Sequence, residues 1–139
     1  MDMLVSARRI EAVRPDAVRA LAFLDVAADR LSQLPLLTSV GVKYDIAYDA
    51  AHDVGEALLA AYGCRTRNGP GQHEAVGRFL RALLDSPPGD RAARRFDRLR
   101  RARNQSHYDA TPVGAAEAAL AERTAEELQT AVVARGVGS

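Results

Sequence analysis

Apolar residues recur every three or four positions through most of the chain, which is the spacing of amphipathic helices. No segment alternates apolar and polar residues with the period of two that indicates a half-exposed strand. The pattern therefore predicts one all-α domain over residues 1–139, a four- to five-helix bundle whose core spans about 15–134. The predicted helices cover about 15–34, 38–63, 73–85, a fourth segment that begins at Asp90 and ends before DATP, and 112–134.

Caps and turn residues set the boundaries of the second predicted helix. Thr38 or Ser39 is suited to its N-cap, and Gly63 to its C-terminal end. The apolar stripe of this helix consists of Tyr44, Tyr48, Ala51, Gly55, Leu58 and Tyr62. Because glycine weakens a helix, Gly55 in this stripe indicates a close approach of another helix. The stretch CRTRNGPGQ, residues 64–72, is rich in turn formers and predicts a loop.

Similar residues mark the starts of the later helices. Asp90 is the predicted N-cap of the fourth helix. Thr111 is predicted to cap the fifth helix, with Pro112 in its first position. In the first helix, the predicted core face consists of Val18, Leu21, Leu24, Ala28 and Leu31.

The composition agrees with a helical protein of the reducing cytosol. The apolar fraction is 47%, mostly Ala, Leu and Val without Trp, and such side chains suit closely packed helices. Cys64 is the only cysteine, so the chain forms neither an internal disulfide nor a cysteine metal cluster. The N-terminus lacks the pattern of a secretory signal, and no apolar run approaches the roughly 20 residues that span a bilayer. We expect a cytoplasmic protein that does not enter membranes.

The formal net charge of +1 hides a strongly basic segment. Residues 91–103 hold seven arginines against one acid, Asp97. The whole chain has eighteen arginines and one lysine, so the preference for arginine is weak evidence by itself. Arginine nevertheless offers a planar fork of donors that matches phosphate. The segment is therefore either a solvated basic face or a site that handles phosphate.

Helical phase separates the arginines of this segment into two groups. Because each residue turns by about 100°, Arg103 and His107 continue the apolar side that Phe96 and Leu99 begin. A charge that points inward or toward an interface needs partners or a function, since desolvating it alone costs several kcal/mol. The arginines predicted to be solvated or to attract RNA are Arg94, Arg95, Arg98 and Arg101.

Two parts of the chain carry a resemblance to a known family. One is the stretch ARNQSHY, residues 102–108. The other is residues 47–80, in which a Tyr- and Ala-rich helix leads to a Gly, a polar loop and a helix that begins with His. Together the two parts resemble the HEPN family. That family is named for nucleotide binding in higher eukaryotes and prokaryotes, and the resemblance covers about residues 38–110. It implies a helical bundle that forms a homodimer, in which an Arg-to-His motif meets its symmetry mate at the interface. Active members are metal-independent ribonucleases, many of them toxins or defence proteins.

The spacing of the motif departs from the family pattern, in which four to six residues separate the Arg from the His. Arg103 has only three residues before His107, whereas Arg101 and Arg100 have five and six. With Arg103 as the reference, Tyr108 stands where the His is expected. A non-catalytic HEPN-like module that binds a nucleotide, RNA or a partner therefore stays open, as does a helical interaction protein without enzymatic activity.

The resemblance implies an RNA-cleaving site without metal or cofactor. Such cleavage needs a base for the 2′-OH, an acid for the leaving 5′-oxygen and cations for the phosphorane-like charge. An antitoxin, such as a nucleotidyltransferase, is the expected partner besides RNA and the second copy. The candidate catalytic residues are Arg103, His107, Asn104, Tyr108 and Arg100, and the candidate RNA-binding residues are Arg101 and Arg98.

One face of the second helix carries a stripe of four polar residues for which two interpretations stay open: Asp45, Asp49, His52 and Glu56. A divalent metal site is one, and pairing with the arginines of the fourth helix is the favoured one, with Asp49 as its first candidate. Of the remaining reactive residues, His73 is expected to be exposed and Cys64 to lie at the surface or its rim.

Overall fold

The computed structural model describes residues 10–67 and 69–138, and over these residues it confirms the predicted all-α bundle. Five α-helices are present among them, joined by one short 3₁₀ turn and a small sheet of two strands. The elements are β1 (Ile10–Ala12), α1 (Ala17–Gln33), the 3₁₀ turn (Leu34–Leu36), α2 (Val40–Ala61), β2 (Cys64–Thr66), α3 (Gln72–Leu83), α4 (Asp90–Asp109) and α5 (Ala115–Ala134). None of the helices in the described part of the chain has the length and hydrophobicity needed to cross a membrane.

Helix α2 lies at the centre of the bundle and contacts each of the other four helices. Of its thirteen buried residues five are alanines and one is a glycine, so neighbouring helices approach it closely at these positions. Gly55 is the clearest case, because a Cβ atom there would overlap the side chain of Val76 on α3. The prediction that this glycine marks a close helix–helix contact is confirmed.

The sequence located the ends of α2 more accurately than the starts of α4 and α5. Ser39 caps α2 through its Oγ, which accepts from the Val42 amide at 3.3 Å, and Gly63 follows the helix with φ +77°. Asp90 is not a cap but the first residue of α4, after Gly89 in the N-cap position. At the fifth helix the predicted cap at Thr111 is wrong, since α5 begins only at Ala115.

A local hydrogen bond explains the late start of α5. The carboxylate of Glu117 accepts from the backbone amide of Gly114, the N-cap residue of the helix. Four residues before that, Ala110 has φ +54° and ends α4. The chain between these two points therefore belongs to neither helix, although Thr111 and Pro112 are chemically suited to a helix start.

The predicted loop at 64–72 is wrong in its first three residues. Cys64–Thr66 forms β2, which pairs antiparallel with β1 so that Ile10 lies opposite Thr66. Strands of three residues are too short to show a period-two pattern, and the sequence signal was therefore absent. The sheet also buries Cys64, only 2% exposed, which corrects its expected position at the surface.

The predicted core face of α1 is largely wrong. The buried residues of this helix are Ala20, Leu24 and Ala27, whereas Val18 is 82% exposed. Of these buried residues only Leu24 was predicted, although the predicted Leu31 is partly buried against the core. Because alanine carries little hydrophobic weight, a pattern judged by the larger side chains missed the face on which α1 packs closely against α2.

Candidate functional site

The arginine-rich helix α4 presents its residues in the phase that the sequence predicts. Its first half buries Ala92, Ala93, Phe96 and Leu99 in the core. One turn further along the same side, the Arg103 side chain is only 24% exposed, compared with 72% for Arg101. Arg94 and Arg98 are exposed as well. Of the arginines assigned to solvent, Arg95 is an exception, because it pairs with Glu127 of α5.

Arg103 lies against one face of α2. Its guanidinium carbon is 4.9 Å from the centre of the Tyr48 ring, within the range of a cation–π interaction. Its Nε is 3.6 Å from Asp45 Oδ1, and one terminal nitrogen is 3.9 Å from Asp49 Oδ1. These three α2 residues are spaced i, i+3, i+4 and so share a helix face. Two acids and one aromatic ring therefore hold the Arg103 side chain in place.

The hydrogen-bonding capacity of Arg103 is largely unused. Both of its ion pairs are longer than a hydrogen bond, and its buried Nε has no hydrogen-bond partner among the described residues. Guanidinium has five N–H donors in a fixed fork. The side chain is therefore fixed in position by charge and stacking, while its terminal nitrogens stay available to an anion.

His107 shares a carboxylate with Arg103. Its Nε2 lies 3.2 Å from Asp45 Oδ1, and its side chain is 54% exposed. Asp45 thus contacts both residues of the candidate motif and orients the imidazole at the protein surface. The sequence favoured Asp49 as the acid that pairs with α4. Asp49 does approach Arg103, but it also lies 3.8 Å from Arg30 of α1, and Asp45 is the acid that joins the pair.

Arg100 and Arg101 converge on one acid, Asp97. Arg100 donates to Asp97 Oδ1 from two nitrogens at 3.1 and 2.9 Å, and Arg101 donates to Oδ2 at 2.6 Å. Burial alone raises the pKa of Asp97, but these hydrogen bonds outweigh it and hold the pKa below its usual value. A nitrogen of Arg81 is 3.9 Å from the same carboxylate. Three arginines around one acid leave an excess of positive charge beside the site.

The other two candidate catalytic residues lie at the surface. Tyr108 is 89% exposed, and Asn104 is exposed on the same end of α4. In this single copy of the chain neither is buried against another element. Both are placed where a second copy or a nucleic acid can reach them.

A stack of rings beneath Arg103 was missed at the sequence level. His73 at the start of α3 is half-buried rather than exposed, because its Nδ1 lies 2.8 Å from the Tyr48 hydroxyl. Its ring centroid is 4.2 Å from that of His52, and the Tyr48 ring also stacks on Phe96. The i, i+4 spacing of Tyr48 and His52 was the one signal available, and nothing indicated that His73 folds onto them.

Burial keeps these rings uncharged. It lowers the pKa of His52 to about 3, with His73 and the nearby arginines acting in the same direction. Burial also lowers the pKa of His73, again assisted by Arg103, and raises that of Tyr48. A hydroxyl that stays protonated can donate to His73 Nδ1, and in that tautomer the ring proton of His73 is on Nε2.

The acidic stripe of α2 is divided among separate partners. Asp45 and Asp49 face Arg103, Asp53 lies 3.2 Å from Arg30, and Glu56 accepts from the Thr66 hydroxyl at 2.8 Å. Within residues 10–67 and 69–138, no group of three or more His, Cys, Asp or Glu side chains is arranged to hold a metal ion. The predicted pairing with arginines of α4 therefore holds for Asp45 and Asp49 but not for Glu56.

Arg103 lines two surface pockets. One, of about 250 Å³, also includes Asp45 and His107. The other, of about 340 Å³, lies between the start of α3 and the second half of α4. Besides Arg103, its wall consists of Gly69, Gly71, Gln72, His73, Glu74, Arg100 and Asn104.

Comparison with known proteins adds no relative from which a role can be carried over. The chain matches no protein-family model, no curated protein and no solved structure.

Proposed function

We propose that this protein is a HEPN-like, metal-independent ribonuclease whose site is formed by Arg103 and His107. The observation that carries the proposal is the shared carboxylate of Asp45, which contacts Arg103 at 3.6 Å and His107 at 3.2 Å. An exposed imidazole held by an acid next to a restrained guanidinium is a suitable arrangement for acid–base chemistry on a phosphodiester.

The reaction divides among the side chains as follows. An imidazole accepts the 2′-OH proton, and the 2′-oxygen attacks the adjacent phosphorus. The bond to the 5′-oxygen breaks, a protonated imidazole supplies the proton to that oxygen, and a 2′,3′-cyclic phosphate remains. The fork of Arg103 stabilises the negative charge on the phosphorane oxygens. Asn104 and Tyr108 are placed to contact the nucleotides on either side.

The chemistry uses two imidazoles, and each chain offers one at this end of α4. A homodimer with its twofold axis beside residues 100–109 would bring His107 from each copy into one groove. The exposure of His107 and Tyr108 in the single chain agrees with this arrangement. The dimer is tested by sedimentation at micromolar concentration, where a strict monomer counts against the site.

Helical phase accounts for the unusual motif spacing. Arg103 is one turn before His107, and Arg100 is two turns before it, so the three side chains share a face. Arg101 satisfies the family spacing but points to solvent. We propose Arg103 as the main phosphate contact, with Arg100 beside it, and the exposed Arg98 and Arg101 as general RNA-attracting charges.

A second candidate function is a HEPN-like module that binds RNA, a nucleotide or a partner without cleaving. The observation in its favour is that two acids, Asp45 and Asp49, lie close to Arg103 and offset its charge. In that case Arg103 acts mainly to join α4 to α2. Retention of RNA by filter binding without any cleavage product would favour this alternative.

The deciding experiment measures cleavage of a mixed RNA substrate in the presence of EDTA. We expect activity in wild type, a fall of about 10²- to 10⁴-fold in His107→Ala, and products ending in 2′,3′-cyclic phosphate. Gln105→Ala is the matched control, since Gln105 is exposed two residues away on another side of α4. Cleavage that needs a divalent metal, or products with 5′-phosphates, would contradict the proposal.

The biological setting that fits is a toxin or defence protein held in check by a partner. The exposed basic end of α4 is the surface that an antitoxin, such as a nucleotidyltransferase, would have to cover or modify. Growth arrest on expression of wild type, absent for His107→Ala, is the expected outcome. Equal toxicity of the two proteins would point to an effect unrelated to RNA cleavage.

A further inference from the structure

The pocket of about 340 Å³ beside α3 is separate from the His107 pocket but shares Arg103 with it. Its wall contains two arginines, one histidine and two side-chain amides. Neither Asp45 nor His107 belongs to this wall. Its volume lies at the lower end of the usual range for small-molecule pockets.

The arginines bring unsatisfied donors to this pocket. Arg103 makes no hydrogen bond to any described residue, and Arg100 uses Nε and one terminal nitrogen on Asp97. The second terminal nitrogen of Arg100 has no such contact within the described part of the chain. Both side chains are mostly shielded from water, 20% and 24% exposed, so an anion between them meets weakly screened charge.

The start of α3 contributes further donors. Its N-cap is Gly71, with φ +85°, which has no side chain to cap the helix; the Gln72 amide donates to the Gly69 carbonyl at 3.3 Å, and the amide of His73 follows it. His73 binds the Tyr48 hydroxyl through Nδ1, so its Nε2 is the ring nitrogen left for a ligand. The helix start would not make a site by itself. Here it forms one wall of a pocket whose opposite wall carries two guanidinium groups.

The acid in the pocket wall does not cancel this charge. Glu74 lies 2.9 Å from Arg78, one turn along α3, and that ion pair compensates it. The nearest acid of α4, Asp97, is shared by Arg100, Arg101 and Arg81. Asp45 and Asp49 offset the charge of Arg103, so the net positive charge beside the pocket comes from Arg100, Arg101 and Arg81, three arginines that share the single acid Asp97.

We infer that this pocket binds a phosphate group, that of a free nucleotide or of an RNA chain, between the start of α3 and the arginines of α4. Arg100 and Arg103 supply charged donors, and His73 supplies neutral ones from its ring and its backbone amide. Asn104 lies at the wall as an amide able to bind the attached sugar or base. Gln72 lies there as well, but its Nε2 already donates to Thr66 Oγ1 at 3.0 Å. Arg100 and Arg103 are also the phosphate contacts of the proposed cleavage site, so the inference extends that proposal to the neighbouring pocket; each chain contains the whole pocket, and phosphate binding there does not require cleavage.

The site is tested by titrating the full-length protein with inorganic phosphate and adenosine 5′-monophosphate while following backbone amide resonances by NMR. Both are expected to produce saturable shifts at His73 and Glu74, and adenosine is expected to leave these resonances in place. Shifts confined to the neighbourhood of His107, or equal effects of adenosine and its phosphate, would overturn the inference.

A matched pair of charge variants locates the ligand. Asn104→Asp places a carboxylate at the pocket wall, whereas Gln105→Glu adds the same charge at an exposed neighbour outside it. The first is expected to weaken nucleotide binding about tenfold or more, and the second about twofold or less. Both residues are exposed, so both variants should fold, as melting curves will check. Equal losses of affinity would mean that the phosphate does not lie in this pocket.

Competition identifies the source of the phosphate. If adenosine 5′-monophosphate displaces a short RNA from the protein, the pocket holds a phosphate of the RNA chain; if the two bind independently, it holds a free nucleotide. Phosphate binding without RNA cleavage would reject the proposed ribonuclease and keep this site. Cleavage of RNA without saturable phosphate binding would reject this pocket as a phosphate site and keep the proposed ribonuclease.

Discussion

The two halves of α4 contact the bundle by different means. In residues 90–99 the helix buries Ala92, Ala93, Phe96 and Leu99 in the core. In residues 100–109 none of the helix is fully buried, and contact with α2 passes through the charges of Arg103 and His107. The same helical stripe thus changes from apolar to cationic at its midpoint.

The change at this midpoint cannot be explained by stability. Half-exposed ion pairs contribute roughly 0–1 kcal/mol, much less than a buried aromatic side chain. If stability alone decided the sequence, apolar residues at positions 103 and 107 would extend the contact with α2 at least as well. The first half of α4 therefore fixes the position of the helix, and the second half uses that position to present charged groups.

The largest expected effect comes from breaking the first half. Phe96 is fully buried and stacks on Tyr48, so Phe96→Ala should lower the free energy of unfolding by about 3–5 kcal/mol. Tyr108→Ala in the second half should change it by about 0.5 kcal/mol or less, since that residue is 89% exposed. Urea denaturation at one fixed protein concentration measures both. Similar losses of unfolding free energy in the two variants would contradict the conclusion that only the first half of α4 fixes the helix in the bundle.

The fold was predictable where large apolar residues repeat with helical spacing. The core stripe of α2, with Tyr44, Tyr48 and Leu58, could be identified this way, as could the packing role of Gly55. The face of α1 could not, because alanines carry it. The two short strands were equally hidden, since pairing of Ile10–Ala12 with Cys64–Thr66 depends on where the helices place these distant segments.

The site was predictable only within one helix. Helical phase correctly separated Arg103 from Arg101, because that relation is local and follows from backbone geometry. The contacts of Asp45 with α4 and of His73 with Tyr48 join residues 62 and 25 positions apart. Such contacts depend on the relative rotation of packed helices, which neither spacing nor composition determines.

The second half can be tested by comparing two of its arginines. If the protein cleaves RNA, Arg103→Ala should lower turnover about a hundredfold or more, as the loss of about 3 kcal/mol from a positioned phosphate donor implies. Arg101→Ala should mainly weaken RNA binding, and less so at high salt, because its side chain is 72% exposed. Single-turnover cleavage at several salt concentrations separates the two effects.

The opposite outcome for these two arginines would show that the assignment of Arg103 by helical phase is wrong. Loss of cleavage in Arg101→Ala with near-normal turnover in Arg103→Ala would mean that α4 is rotated or distorted before His107 in the working enzyme. It would also restore the family spacing of five residues as the functional one. The measured stability of Arg103→Ala is a useful control, because the Tyr48 contact makes a small loss expected in either case.

The smallest effect concerns the ring stack on which the first half of α4 packs. His52 is tilted against Phe96, and burial lowers its pKa to about 3, far below the 6.5 of the exposed side chain. The folded protein therefore binds fewer protons than the unfolded chain between these values, so His52 stabilises the fold above pH 6.5 and this contribution falls as the pH decreases toward 3. From pH 7 to pH 5 the loss amounts to about 2 kcal/mol.

Other groups around His52 make the wild-type profile flatter than this. Burial raises the pKa of Asp53 to about 6 and also raises that of Glu56, so both bind protons more readily in the folded state and stabilise it as the pH falls. His73 acts in the same direction as His52. The contribution of His52 is therefore isolated by comparison with His52→Gln, which does not titrate. The stability advantage of wild type over this variant should shrink by about 2 kcal/mol between pH 7 and pH 5. A constant difference in urea denaturation would show that His52 is not held neutral beneath α4.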